Sequence, residues 1–348
     1  MSLSSKMLAA VIPSVNGKWE VREVSTPQLG ANQVLIKIHA SGICYTDVHI
    51  TSGALGVKFP HTIGHEPAGE IVELGEGVTT RKVGDRVGVP WLQSTCGRCE
   101  WCQRGKSFFC LNHIATGINI AGSHGEYMVA YADATQLIPN GLSYDQAAPI
   151  FCAGYTVYSG LRLADPKPHE RIAVVGIGAL GHLGIQYSKA AGFETIAVTH
   201  SKDKEELAYK LGADSVVADG EGLLKEKVRA SSSSPDGVGG ADVILATSNS
   251  YNATADSIKG LGPDGRVVLM GVSPTESLTI SPEILFKRAR IIGSTQNDRE
   301  HLYEALDYVA KGKVKVMTEI FPLGEISNAY DKVVNGNVRF KAVIEPTK

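Results

Sequence analysis

Four cysteines lie within one short segment, CGRCEWCQRGKSFFC. They are Cys96, Cys99, Cys102 and Cys110, with the spacing C-x2-C-x2-C-x7-C. Four thiolates complete the tetrahedral shell of a structural zinc ion, so the spacing predicts a closed metal site with no coordination position left for a substrate. The run C-x2-C-x2-C leaves an iron–sulfur cluster open as an alternative, which a visible absorption spectrum would distinguish from zinc.

A second metal site is predicted from residues far apart in the sequence. Cys44 lies in SGICYTDVH, His65 and Glu66 lie in TIGHEPAG, and Cys152 lies in PIFCAGYT. Two cysteines and one histidine form the ligand set of an open catalytic zinc, which keeps one position for water or substrate. The alternative from spacing alone is that each cysteine is an ordinary core residue and the histidine a satisfied polar residue.

A glycine turn carries the third chemical signal. Gly176, Gly178 and Gly181, with Leu180 before the last of them, match the pattern G-x-G-x-x-G. The pattern follows the apolar run IAVV and precedes an amphipathic segment, which is the strand–turn–helix context of a dinucleotide-binding site. In that context the helix N-terminus faces the cofactor phosphates. A glycine-rich turn without a ligand is the alternative.

The choice of dinucleotide depends on the residues that follow the next predicted strand, TIAVTH. Sites for NAD usually have an acidic residue there, which binds the ribose 2′-hydroxyl. This chain instead has Thr199, His200, Ser201 and Lys202, and the first carboxylate is that of Asp203. Hydroxyl groups beside a lysine suit a 2′-phosphate, so the segment favours NADP(H), with NAD(H) as the alternative. A solvated charge run that opens a helix would also explain the segment.

The elements that position these groups divide the chain into two domains. Short β-branched runs separated by glycines fill the first 150 residues, which indicates a β-rich domain. After residue 153, strands and helices alternate, which predicts a doubly wound parallel sheet and an α/β fold. We therefore predict one domain from residues 1–153 and 290–348, in which the final FKAVIEP returns as a strand, and a dinucleotide-binding Rossmann domain from residues 154–289. The serine-rich segment 229–240 is predicted to be a surface loop.

Composition restricts the function classes. The chain has 348 residues, of which 43% are hydrophobic and 20% are charged, and its formal net charge is −2. These values are typical of a globular protein and give no electrostatic case for binding nucleic acid or a membrane. We find no signal-peptide pattern and no apolar run long enough to span a bilayer, so we expect a cytoplasmic protein whose six cysteines stay reduced.

These motifs together resemble the zinc-dependent medium-chain alcohol dehydrogenases. The family pattern of cysteine, basic residue, Thr or Ser, then Asp is matched by CYTD at residues 44–47, and Gly-His-Glu is matched at residues 64–66. A third cysteine followed by AGYT, the four-cysteine segment and the glycine turn occur in the expected order. The length is similar to the yeast and bacterial enzymes, and the basic segment after the second strand is similar to the cinnamyl alcohol dehydrogenase branch.

The resemblance implies a GroES-like catalytic domain beside the Rossmann domain, two zinc ions per chain, and a homodimer or homotetramer. Cys44, His65 and Cys152 would bind the catalytic zinc, and Glu66 would lie beside it as a ligand that exchanges with water. Asp47 would accept a hydrogen bond from His65 and fix its tautomer. Cys96, Cys99, Cys102 and Cys110 would bind the structural zinc.

The resemblance also implies which residues contact substrate and cofactor. Thr46 would bind the substrate oxygen, and His49 would pass the proton to solvent. Thr156 and Arg339 would contact the nicotinamide and the pyrophosphate. Tyr45 departs from the family, because a basic residue usually occupies its position and contacts the pyrophosphate.

The reaction implied is reversible hydride transfer between a primary or secondary alcohol and NADP(H) or NAD(H), which yields an aldehyde or ketone. Reduction of activated C=C bonds on the same fold is one alternative, since some relatives do this with the zinc motifs retained. A non-catalytic relative is the other.

Overall fold

A computed structural model describes residues 4–225, 239–273 and 275–347. The chain forms two compact units, one of residues 1–152 and 316–348 and the other of residues 153–315. The first boundary agrees with the predicted change at residue 153. The predicted return at residue 290 is too early, because the strand that starts there pairs within the sheet of the second unit.

The strands are given first in chain order, for the described residues. They are β1 (Lys6–Val11), β2 (Glu20–Ser25), β3 (Gln33–Gly42), β4 (Pro67–Leu74), β5 (Arg86–Gly88), β6 (Leu92–Ser94), β7 (Ile114–Ala115), β8 (Tyr127–Tyr131), β9 (Gln136–Leu137), β10 (Arg171–Val175), β11 (Glu194–Val198), β12 (Ser215–Val217), β13 (Ala241–Ala246), β14 (Leu261–Leu269), β15 (Arg290–Gly293), β16 (Thr318–Pro322) and β17 (Lys341–Glu345).

The α-helices follow in the same way. They are α1 (Tyr45–Thr51), α2 (Glu100–Gln103), α3 (Tyr144–Ala147), α4 (Ala153–Leu163), α5 (Gly181–Ala190), α6 (Lys202–Lys210), α7 (Gly220–Lys225), α8 (Tyr251–Ser257), α9 (Glu283–Lys287), α10 (Arg299–Ala310) and α11 (Ile326–Val334). Among the described residues, no helix has both the length and the apolar character needed to cross a membrane.

The first unit is built on a seven-stranded sheet. Its strands follow the order β16-β17-β3-β4-β5-β9, and β8 also pairs with β3. The long strand β3 alternates apolar residues, and Val34, Ile36 and Ile38 are fully buried against Ile71 and Val87. Period-two burial of this kind fixes the register, since a slip of one residue would expose the apolar face. The final strand β17 pairs with β3, as predicted for FKAVIEP.

The second unit is built on a six-stranded parallel sheet in the order β12-β11-β10-β13-β14-β15. This order is that of a Rossmann domain. Successive strands are added on one side from β10 to β12, and β13 to β15 are then added on the other side of β10. All five residues of β10 are buried, which explains the apolar run IAVV that follows Arg171. The predicted α/β fold is therefore confirmed. The predicted loop at 229–240 lies outside the described residues, except for its last two.

Candidate functional site

The four-cysteine segment forms a compact thiol cluster. The sulfur atoms of Cys96, Cys99, Cys102 and Cys110 all lie within 4.8 Å of one another. The Sγ atoms of Cys99 and Cys102 are 3.5 Å apart because the single turn α2 brings both to one side, and those of Cys96 and Cys110 are also 3.5 Å apart. Tetrahedral zinc with Zn–S bonds of about 2.3 Å requires sulfur atoms about 3.8 Å apart, so this cluster fits a closed zinc site.

Electrostatics in this segment favour the thiolate form, which binds metal, at Cys96, whereas burial and the neighbouring cysteines raise the pKa of Cys99 to about 11. Backbone amides of Arg98 and Cys99 lower the pKa of Cys96 to about 6. A thiolate accepts hydrogen bonds from amides more strongly than a thiol does, which explains the direction. No open position remains once four sulfur atoms surround a zinc ion, so this cluster is suited to holding the loop in shape.

The second cluster comes from three separate elements of the first unit. Cys44 directly precedes α1, His65 and Glu66 directly precede β4, and Cys152 follows the one-turn helix Ala148–Phe151. One ligand atom from each of these four residues lies within 4.8 Å of the others. The structure thus brings together the four residues that the sequence placed at the open metal site.

The geometry of this cluster also fits a metal ion. Cys44 Sγ and Cys152 Sγ are 3.8 Å apart, the separation that tetrahedral zinc requires. His65 is buried, and among the described residues its Nε2 has no hydrogen-bond partner; Glu66 Oε2 is also buried without one there. Buried polar atoms are normally paired, so these two atoms indicate a ligand at this point. A hydrogen bond from Cys152 lowers the pKa of the Cys44 thiol well below its ordinary value.

Asp47 lies next to this cluster and is fully buried. Its Oδ2 accepts a hydrogen bond from the backbone N–H of Cys44 at 2.8 Å, and its Oδ1 lies 3.5 Å from His65 Nδ1. Burial opposes ionisation, but His65 and His124 lower the pKa of Asp47 below its usual range. The carboxylate therefore joins the start of α1, which carries Cys44, to the imidazole of His65.

The buried cation beside Glu66 was missed by sequence reasoning. Lys341 Nζ donates to Glu66 Oε1 at 2.7 Å and to the carbonyl of Ile43 at 2.9 Å, and both side chains are fully buried. Burial raises the pKa of Glu66 to about 7, while Glu66 raises the pKa of Lys341 above its ordinary value although burial opposes this. A lysine inside the apolar strand KAVIE was the available signal, since buried lysines are almost always paired.

The other residues predicted on α1 lie on one short helix. Thr46 and His49 are both partly buried, and Thr46 Oγ1 lies 3.6 Å from Cys44 Sγ. The ring of His49 makes an edge contact with Tyr45 at 5.3 Å between centroids. Arg339 lies elsewhere in the first unit, where it is exposed and its backbone N–H donates to Glu319 at 2.8 Å.

The glycine turn of the second unit directly follows β10 and leads into α5. Gly176 has a φ of 88°, which favours glycine, and a Cβ on Gly181 would lie 1.9 Å from the Gly176 carbonyl oxygen. A Cβ on Gly178, by contrast, would meet no atom within 4 Å. The chain itself thus requires Gly176 and Gly181, whereas the space beside Gly178 is open, which fits the predicted approach of a phosphate. Thr247 Oγ1 donates to the carbonyls of Val175 and Gly176 and stabilises the turn.

The predicted ribose-binding residues follow β11. Thr199 is partly buried, and its Oγ1 accepts a hydrogen bond from the backbone N–H of Ser201 at 3.3 Å. His200 and Lys202 are exposed, and Lys202 begins α6. Thr156 lies on α4 and is partly buried.

Comparison with known proteins identifies the family. The alcohol dehydrogenase GroES-like domain family matches residues 30–140, and the zinc-binding dehydrogenase family matches residues 179–311. An alcohol dehydrogenase from Geobacillus stearothermophilus is 39% identical over 345 residues, which are 97% of this chain and 99% of the relative. The chain belongs to the alcohol dehydrogenase family. Its membership confirms the predicted enzyme class, an oxidoreductase that interconverts alcohols and aldehydes.

Solved structures of the alcohol dehydrogenase family agree with this assignment. A chain from Sinorhizobium meliloti 1021, described as a zinc-binding dehydrogenase bound to NADP, is 31% identical with a TM-score of 0.86, and the match covers 99% of this chain and 100% of that one. A cinnamyl alcohol dehydrogenase from Sorghum bicolor is 26% identical with a TM-score of 0.85, over 98% of this chain and 97% of that one. The predicted resemblance to both branches of the family is confirmed.

Proposed function

We propose that this alcohol dehydrogenase binds two zinc ions per chain and transfers hydride between primary or secondary alcohols and NADP(H), with NAD(H) as the weaker cofactor. The observation that carries the proposal is the cluster of Cys44, His65, Glu66 and Cys152, in which buried His65 Nε2 has no hydrogen-bond partner in the part of the chain that the structure describes. Zinc at this cluster would supply the Lewis acidity that stabilises negative charge on an alcohol oxygen.

Around the metal, the residues of the chain set tautomer and charge. Asp47 Oδ1 lies 3.5 Å from His65 Nδ1 and would hold the ring hydrogen on that nitrogen, so that the lone pair of Nε2 is directed to the metal position. Lys341 balances the charge of Glu66, whose second oxygen remains available as an exchanging ligand. This pairing matters because an unpaired charge in a buried site strongly destabilises the folded protein.

Proton transfer is assigned to α1. Thr46 would accept a hydrogen bond from the substrate hydroxyl and relay its proton by donating its own hydroxyl proton to the cofactor ribose, and His49 would release the proton to solvent. The two residues are three positions apart on one helix and therefore lie on the same face.

Cofactor binding is assigned to the turn formed by Gly176, Gly178, Leu180 and Gly181, whose open space and helix N-terminus suit a pyrophosphate. The nicotinamide supplies the hydride acceptor. Thr199, His200, Ser201 and Lys202 would bind the 2′-phosphate of NADP, since none of them repels an anion as an acidic residue would. Thr156 and Arg339 remain proposed contacts to nicotinamide and pyrophosphate.

The partner in this reaction is a small alcohol, aldehyde or ketone. We propose a homodimer or homotetramer in the cytoplasm, in line with the resemblance and with the reduced state that six metal-binding cysteines require.

The metal assignment is tested by counting zinc and measuring turnover on a panel of alcohols, aldehydes and enones. Wild-type protein should contain two zinc ions per chain, and His65→Ala should retain one and lose turnover. The control is His61→Ala, a partly buried histidine outside the cluster, which should keep both. Substantial activity in a His65→Ala protein with one verified zinc would contradict the proposal, and turnover of enones alone would favour C=C reduction.

The cofactor assignment is tested with Thr199→Asp. A carboxylate at this position should repel the 2′-phosphate and accept from a 2′-hydroxyl, so the ratio of kcat/KM for NADPH to that for NADH should fall at least tenfold. Thr279→Asp adds the same charge at an exposed position of the same unit and should leave the ratio unchanged. An unaltered ratio in Thr199→Asp would exclude this segment from 2′-phosphate binding.

A further inference from the structure

One buried histidine near the metal cluster is not used by the mechanism. His124 directly precedes Gly125, which forms an isolated β-bridge with Ala9, and its side chain is fully buried. It belongs to neither candidate ligand set. A buried imidazole without a ligand role needs polar partners, and those of His124 lead towards Asp47.

The hydrogen bonds of His124 define its tautomer. Nδ1 lies 2.8 Å from Ser41 Oγ, which is itself 2.6 Å from Ser123 Oγ, and all three side chains are fully buried. Nε2 faces Asp47 Oδ2 at 3.8 Å. A bare nitrogen lone pair facing a carboxylate would be repelled, so the ring hydrogen belongs on Nε2, and Nδ1 accepts from the Ser41 hydroxyl.

The same ring also contacts the segment that carries His65. Gly64 has a φ of 107°, and a Cβ there would lie 2.9 Å from three atoms of the His124 ring, so the imidazole lies directly on the Gly64 backbone. The backbone reinforces this contact, because Ser123 N–H donates to the Gly64 carbonyl and His124 N–H to the Ile63 carbonyl. Trp19 makes an edge contact with His124 at 5.7 Å, which restricts the ring further.

We propose that His124 is a positioning residue for the catalytic metal site, holding the Asp47 carboxylate and the Gly64–His65 backbone so that His65 presents Nε2 to the metal. The proposal rests on the proposed zinc site. A polar N–H aimed at a buried carboxylate stabilises its charge at 3.8 Å without a direct hydrogen bond, because the surroundings exclude water. Mutation of a residue that orients a metal ligand without binding the metal itself typically lowers the metal affinity about ten- to a hundred-fold.

The test measures zinc release rather than activity alone. Zinc-loaded wild type, His124→Phe and His124→Gln are mixed with a chelating dye, and the released zinc is followed by absorbance. The zinc that wild type releases and His65→Ala does not contain is the catalytic pool; the zinc that both release is the structural pool. His124→Phe keeps an aromatic ring on Gly64 but loses the N–H, so we expect its catalytic pool to leave about ten- to a hundred-fold faster with the structural pool unchanged.

His124→Gln restores an N–H that can face Asp47, and we expect most of the wild-type release rate to return. Ser41→Ala keeps the ring but removes the hydroxyl that fixes its tautomer, so it should change the rate in the same direction as His124→Phe and supplies the test if that variant fails to fold. His61→Phe is the matched control and should release zinc as wild type does.

The outcomes separate the two proposals. If wild type binds only the zinc that His65→Ala retains, the catalytic zinc site itself is wrong. If wild type binds two zinc ions and His124→Phe and Ser41→Ala both release them at the wild-type rate, the role of His124 is wrong. If His124→Gln releases zinc no more slowly than His124→Phe, an N–H facing Asp47 does not restore the site, and the proposal is overturned.

Discussion

Two glycines of the cofactor turn should respond in opposite ways to the same added methyl group. At Gly178 a Cβ meets no atom within 4 Å, and the residue does not have a positive φ. Alanine there should raise the free energy of unfolding by about 0.4–1 kcal/mol, because it reduces the conformational entropy of the unfolded chain. At Gly181 the Cβ would lie 1.9 Å from the Gly176 carbonyl oxygen. The turn must open by more than 1 Å, which costs about 1–3 kcal/mol.

Cofactor affinity should follow a different order from stability. The methyl group of Gly178→Ala occupies the space through which a pyrophosphate would approach the backbone. Loss of one charge-assisted hydrogen bond to phosphate costs about 1.5–3 kcal/mol, which corresponds to a roughly ten- to hundred-fold higher Kd. Gly178→Ala should therefore be stable but bind NADPH weakly, whereas Gly181→Ala should be both unstable and weakly binding.

The assays are urea unfolding without cofactor and fluorescence titration with NADPH. Gly293→Ala is the control, since its Cβ also meets no atom within 4 Å and it lies on β15, outside the turn. It should bind NADPH as wild type does. Wild-type affinity in Gly178→Ala would refute the phosphate position, and equal stability of Gly178→Ala and Gly181→Ala would refute the steric argument for the turn.

Three further predictions follow from single contacts. Arg266 pairs with Glu170 and lowers the pKa of the Glu170 carboxyl, although burial raises it. Glu170→Gln should therefore lower the free energy of unfolding by about 1–3 kcal/mol at pH 7. The difference should vanish once the pH is below the pKa of Glu170 in the folded protein, as measured by unfolding at several pH values. A Cβ on Gly42 would lie 2.0 Å from Glu66 Oε2, so Gly42→Ala should destabilise by about 1–3 kcal/mol, and Glu66→Ala in the same chain should relieve most of it; simple additivity would disprove the clash. Cys102→Ser should lose one of two zinc ions by metal analysis, and retention of both would place the structural zinc elsewhere.

Local pattern predicted much of the second unit. β10, the glycine turn and α5 follow one another within about twenty residues, and each has a period or composition that belongs to one structure. The boundary at residue 290 was wrong because β15 is short and only partly buried, so its sequence does not say which sheet it joins. The pairing of strands that are far apart in the sequence cannot be predicted from the local pattern of either strand.

The candidate metal site was less accessible to sequence reasoning. Cys44, His65 and Cys152 were selected from motifs and a family resemblance, and only the folded chain places their ligand atoms within 4.8 Å. Lys341 and His124 were missed altogether. They act through partners 275 and 83 residues away, Glu66 and Ser41, and neither residue has a spacing signature.

By itself, the sequence determined the features that local chain geometry controls. Four cysteines in CGRCEWCQRGKSFFC can reach one ion through a short loop and a single helical turn, and G-x-G-x-x-G after a buried strand has one common structural use. Tertiary structure alone decided which buried charges and imidazoles surround the second cluster. The physical reason is that burial and pairing are collective properties: Lys341 is tolerated only because Glu66 lies 2.7 Å away, and that distance is set by the packing of β17, β3 and β4.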